Sequence, residues 1–148
     1  MAARRAYLDY NASAPLLSAA REAMLAAFDI SANASSVHAE GRAARRVVEA
    51  ARREVAALVN GKPEHVVFTS GATEAATTLL APDWRMGRAP LRMGRLYVCE
   101  ADHPCLLGGG RFPAEKVTRI GVDADGVVRL GALAGALGRH DKADGLPL

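Results

Sequence analysis

Cysteine is scarce in this 148-residue chain: Cys99 and Cys105 are the only two. Two thiols make no disulfide framework, their spacing is not CxxC, and no histidine lies at zinc-ligand spacing on both sides. No metal site is expected, and a reduced, cytoplasmic protein is the default. Long apolar runs are missing too. No uncharged stretch approaches the ~20 residues of a membrane helix. The start carries Arg4 and Arg5 with no apolar h-region behind them, unlike a secretory signal. Charge of one sign is also in short supply, since Lys+Arg 19 against Asp+Glu 16 leaves +3. The arginines are spread out with acids between them, whereas a nucleic-acid surface needs a clustered excess. Internal repeats and low-complexity segments are absent.

What is present is a sequence 50% hydrophobic and 24% charged. That balance builds a core and excludes disorder, collagen and coiled coil. The length fits one ordinary domain. Residues 7–10 read as an extended N-terminal arm, broken by the Asn11-to-Pro15 turn. Ser18 is placed to cap a first helix, along which Ala20, Ala23, Met24, Ala27 and Phe28 recur at helical spacing. Residues 30–37 form a loop of small and polar residues. From His38 to Asn60 the apolar stripe Ala44, Val47, Val48, Ala51, Val55, Leu58 and Val59 predicts a long helix. Its arginines and glutamates are most simply a solvated face, and Asn60-Gly61 with Pro63 ends it. Residues 65–69 read as a buried strand running into the segment 70–74 and a helix to about Leu80, and residues 82–84 and 87–90 as loop. Two further strands are expected at 94–100 and 116–122. A short helix after Pro104 and another over Leu130 to Leu137 complete the alternation. The last residues, 145–148, look like an apolar strand that starts and stops, as in the front part of something longer. Alternating strands and helices imply an α/β fold with a largely parallel sheet.

Chemistry concentrates at two turns. In Thr69-Ser70-Gly71-Ala72-Thr73-Glu74 a strand gives way to a helix, whose first N–H groups lack intrahelical partners and carry the positive dipole end. Such a terminus takes an anion, with the Ser70 and Thr73 hydroxyls as further donors. The spacing is neither a Walker loop nor GxGxxG. A plain strand–helix turn with a serine cap and a glutamate favouring the dipole accounts for the same residues. His103, forced out of helical geometry by Pro104, falls at the carboxyl end of the next strand. Ligands of open α/β sheets bind at that edge, so the imidazole either stacks on a flat ring and shuttles protons or serves as a structural cap. Asn11, Asn33, Ser35, Ser36 and His38 lie in loops flanking the first helix and are ordinary turn residues unless they converge on one pocket. Cys105 reads as a small core residue and not a nucleophile. Asp123-Ala-Asp125-Gly126 is a turn, with the rest of a calcium loop missing.

Four segments then occur in one order and spacing: Tyr7-Leu-Asp-Tyr-Asn-Ala-Ser-Ala-Pro15; Asn33-Ala-Ser-Ser-Val-His38 with Ala39-Glu-Gly-Arg42; Val66-Val-Phe-Thr-Ser-Gly-Ala-Thr-Glu-Ala75; and Asp102-His-Pro104. Together they resemble the N-terminal portion of NifS/IscS-type cysteine desulfurases, class V aminotransferase-like enzymes that use pyridoxal 5′-phosphate. The resemblance implies the large domain of fold type I, a three-layer sandwich with a mostly parallel sheet. Residues 1–15 would be its arm and 16–148 an incomplete large domain of a truncated chain. It implies that Gly71, Ala72 and Thr73 bind the cofactor phosphate and that His103 stacks on the ring and assists catalysis. Asn11, Asn33 and His38 would lie near the substrate pocket. The reaction it implies takes sulfur from L-cysteine, leaving alanine and a persulfide on an enzyme thiol, in a homodimer serving a sulfur-acceptor or scaffold protein. Selenocysteine lysis is a sister activity; a split or degenerate homologue that only binds a partner is the alternative outside catalysis.

The sequence departs from the family pattern in three places. Asp102 stands where glutamate is commoner. Ala32-Asn33-Ala34 replaces Gly-Asn-Pro. Of Lys62, Lys116 and Lys142, the only lysines, none follows Ser-His as the family's Schiff-base lysine does. The 148 residues alone are therefore expected to be inactive.

Overall fold

The computed structural model describes residues 6–148, so the first five residues of the expected arm lie outside it. The chain divides into two compact units, Met1–Val67 and Phe68–Leu148.

The first unit is helical. Residues 6–9 lack regular structure and a turn follows at 10–12, where the Asp9 carboxylate accepts from the Ala12 amide. Helix α1, Ser18–Phe28, starts without a side-chain cap: Leu17 occupies the capping position, and Ser18 is already helical. The expected cap is thus one residue too late. Helix α2, Ala39–Leu58, begins where the stripe predicts, with His38 Nδ1 accepting from the Gly41 amide. Asn60 takes the left-handed conformation, φ 52°, that ends it. Ala27 and Ile30 share a small depression with Ala44, Val47 and Val48 of α2.

Gly41 is where a loop presses on α2. A Cβ there would lie 2.7 Å from Ser36 Cβ and 2.9 Å from the Asn33 carbonyl oxygen. Only hydrogen fits.

The expected strand over 65–69 does not form. Residues 63–65 make one 3-10 turn, after which Val66 is extended at φ −90°, ψ 124°. An extended segment becomes sheet only beside a pairing neighbour, and every ladder among the described residues belongs to strands further on.

The second unit is mixed α/β. Helix α3, Ala72–Leu79, is followed by a region expected to be loop that instead forms a hairpin: β1, Asp83–Met86, pairs antiparallel with the start of β2, Ala89–Cys99. Gly87 sits at the first of two turn positions with φ 64°, the demand of a type II′ turn. That glycine makes a hairpin of a stretch whose prolines suggest a loop. After β2 come α4, Pro104–Leu107; β3, Val117–Ile120; α5, Leu130–Gly138; and β4, Leu146–Pro147. Both β3 and β4 pair with β2 in parallel, so the sheet is mixed, with β2 at its centre. The closing apolar segment is therefore paired, against Met93 and Arg95.

Alternation along β2 buries Gly94, Leu96 and Val98 on one face. Leu96 and Val98 meet Phe112, and Leu80, Met93, Leu107 and Val117 pack around them. On the other face the Tyr97 hydroxyl lies 3.1 Å from His140 Nδ1. Leu80 ties α3 to this core twice, through packing and through its carbonyl, which accepts from the Arg111 amide at 2.8 Å. No helix among the described residues is long and apolar enough to cross a membrane.

Candidate functional site

The core just described fixes two helix starts. The first is α3. Gly71 takes its capping position at φ 163°, ψ −178°, which is extended backbone open to any residue. The glycine is therefore not needed for a tight turn. What it leaves is room, since a Cβ there would meet nothing within 4 Å. No side chain caps the helix, and its first internal bond runs from the Ala75 amide to the Gly71 carbonyl. The amides before Ala75 are the orphan donors of a helix start.

Ser70 and Glu74 behave differently from expectation. The Glu74 carboxylate accepts from both the Ser70 amide, at 2.6 Å, and the Ser70 hydroxyl, at 2.7 Å. These two bonds hold the Glu74 carboxyl below its ordinary value, against a smaller opposing effect of desolvation. The Ser70 hydroxyl is thus committed inside the chain. Thr73 keeps its hydroxyl free of any bond among the described residues, and its carbonyl accepts from the Thr77 hydroxyl.

The second helix start is α4. At the carboxyl end of β2 the chain turns sharply: the Asp102 carboxylate accepts from the Cys99 amide at 2.8 Å, and the Asp102 amide donates to the Cys99 carbonyl at 2.9 Å. That turn delivers His103 to the capping position, with φ −60°, ψ 145° and Pro104 opening the helix. His103 Nδ1 accepts from the Cys105 amide at 3.2 Å and lies 3.1 Å from Cys105 Sγ.

The two starts meet. Ala72, Ala75, Ala76 and Leu79 of α3 form one wall of an open, apolar cleft of about 390 Å³, and His103, Cys105 and Leu106 form the other. Ala72 and His103 thus share a cleft. Gly71 and Thr73 flank Ala72 in sequence and are not part of its lining. From the sequence, Cys105 is a small core residue with His103 two positions away as its one basic neighbour; the structure brings the thiol onto that imidazole. The signal is the thiol's position, two residues after a helix-capping histidine.

Asn11, Asn33 and His38 all belong to the first unit. Asn11 lies in the exposed turn at 10–12. Asn33 Oδ1 accepts from the Ser35 amide at 2.8 Å, a local side-chain turn. His38 Nδ1 lies 2.9 Å from Glu40 Oε2 and 3.3 Å from the Gly41 amide. One nitrogen cannot donate to the first and accept from the second at once, so the two contacts belong to different protonation states. Cys99 and Cys105 are both free thiols, and no metal-binding cluster exists among the described residues.

These features define a class. The chain matches the family model of class-V aminotransferases over residues 6–142 and belongs to that family. Among individual proteins it is 41% identical over 144 residues to a cysteine desulfurase of Frankia sp. (strain EuIK1), covering 89% of this chain and 34% of that protein. An IscS-like cysteine desulfurase of Mycobacterium tuberculosis is 37% identical over 141 residues, 92% of this chain and 36% of the relative. The human selenocysteine lyase matches over a shorter stretch, 41% over 73 residues, 49% of this chain and 16% of that protein. The chain thus spans about a third of the length of the desulfurases it resembles.

Proposed function

We propose that this chain is the part of a pyridoxal-phosphate-dependent cysteine desulfurase that grips the cofactor phosphate and covers its ring. The observation that carries the reading is the shared cleft: Ala72, at the start of one helix, and His103, at the cap of another, face one space. The residues present suit the group. An uncapped helix start supplies amide donors and a positive dipole end to a phosphate. The open space at Gly71 admits an anion close to the backbone, and the unengaged Thr73 hydroxyl adds a donor. Apolar walls of alanine and leucine suit the flat face of a heterocycle.

Pyridoxal 5′-phosphate, when bound, supplies an electron sink for bonds broken at the substrate's α-carbon. Gly71, Ala72 and Thr73 would hold its phosphate. His103 would cover its ring, with the imidazole available to hold or pass a proton. The alanine and leucine walls would give its flat face apolar contact. Roles for Asn11, Asn33 and His38 at the substrate rest on the family resemblance, as do the fold-type-I sandwich, the homodimer and the sulfur-acceptor partner. Cysteine is favoured over selenocysteine as substrate because the desulfurases match 89–92% of the chain and the lyase 49%. Two free thiols suit a reducing, cytoplasmic compartment.

Titration of the chain with pyridoxal phosphate tests this reading. Binding is expected to be saturable, weakened by Thr73→Val and by His103→Ala, and competed by inorganic phosphate. Binding that neither substitution alters would refute it.

A further inference from the structure

His103 is held from one side by a single residue. The Cys105 amide and the Cys105 thiol both converge on Nδ1, at 3.2 and 3.1 Å. A backbone amide only donates, so Nδ1 must offer it a lone pair. A thiol that meets the same lone pair donates its own proton. The opposite arrangement, a thiolate beside an imidazolium, would put a proton on Nδ1 and point it at the amide hydrogen. Only the neutral thiol lets both contacts stand.

A neutral imidazole that accepts at Nδ1 carries its hydrogen on Nε2. We propose that Cys105 is a positioning residue, whose thiol joins its amide in locking His103 as the Nε2–H tautomer on the wall of the cleft shared with Ala72. Nε2 has no partner among the described residues, so it is the nitrogen left for a ligand, and it is presented as a donor. His103 then enters the reaction offering a proton and not seeking one. Cys105 acts through the histidine and makes no covalent bond. This assignment builds on the cofactor reading above, but its test needs no cofactor.

The test is the imidazole ¹⁵N spectrum of the full chain with labelled histidine, at a pH about one unit above the ordinary histidine value and below the ordinary thiol value, so that a neutral imidazole faces a protonated thiol. In the unaltered chain His103 should show an unprotonated Nδ1 and a protonated Nε2. Cys105→Ala keeps the amide and loses the thiol. The Nδ1–H form should then rise roughly twofold, the low end of a neutral hydrogen bond's worth. Cys105→Ser, which restores a donor, should return the spectrum to the original. A protonated Nδ1 in the unaltered chain overturns the proposal even if a variant fails to fold. So does a Cys105→Ala spectrum unchanged from the original, or a Cys105→Ser spectrum matching Cys105→Ala. Failure to bind pyridoxal phosphate would instead strike the cofactor reading and leave the tautomer result standing.

Discussion

At Gly41 a methyl group would be driven into the Asn33–Ser36 backbone, with Ser36 Cβ 2.7 Å away. Gly41→Ala should therefore destabilise the first unit by about 1–3 kcal/mol, the usual cost of overpacking, read as a lowered urea midpoint. Gly71 is the opposite case. Its backbone is extended and its surroundings are open, so Gly71→Ala should change stability by no more than about 0.5 kcal/mol while weakening phosphate binding. The pair separates a glycine kept for packing from one kept for a ligand. Two carboxyls set the acid response. Glu74 is held below 4.5 by the Ser70 hydroxyl and amide, and Asp144 below 3.8, chiefly by its hydrogen bond from Lys116. Both ionise more readily folded than unfolded, so their contribution is full above those ordinary values and fades as pH falls past them. Glu74→Gln should flatten part of the stability loss between pH 5 and 3, measured by denaturant unfolding across that range.

The elements carry a second set of expectations. Leu96, 1% exposed at the centre of β2, anchors the small core with Val98 and Phe112. Leu96→Ala should cost about 2–5 kcal/mol, and the cleft should suffer with it, because Leu80 and Leu107 pack on the same residues. The long helix α2 was legible in the sequence because its stripe and its Asn60 stop agree. The turn into His103 was legible because Pro104 restricts the residue before it. Two elements were not. The hydrophobic run at 65–69 has the composition of a strand, but a strand exists only with a neighbour, and no local pattern reports the neighbour. The hairpin at 83–92 hides behind Pro82, Pro90 and Gly87, all turn signals, of which only Gly87 marks the actual turn. Of the site, the two helix starts could be read from spacing. The Ser70–Glu74 closure and the thiol at His103 are local contacts whose side-chain rotamers spacing alone does not fix, and only the meeting of the two starts across one cleft is a tertiary fact.

For the molecule as a whole, the proposed reading gives the chain the phosphate-gripping and ring-covering groups, and none of its three lysines follows Ser-His. Incubated with L-cysteine and pyridoxal phosphate, the 148 residues should therefore form no alanine above the rate of the free cofactor. The central claim is that the start of α3 and His103 serve one ligand. Residue-resolved amide and imidazole shifts during pyridoxal phosphate titration test it most directly. Ala72, Thr73 and the His103 ring should move together along one saturation curve, while inorganic phosphate moves only the α3 amides. Independent curves for the two groups, or a His103 ring indifferent to the coenzyme, would contradict it.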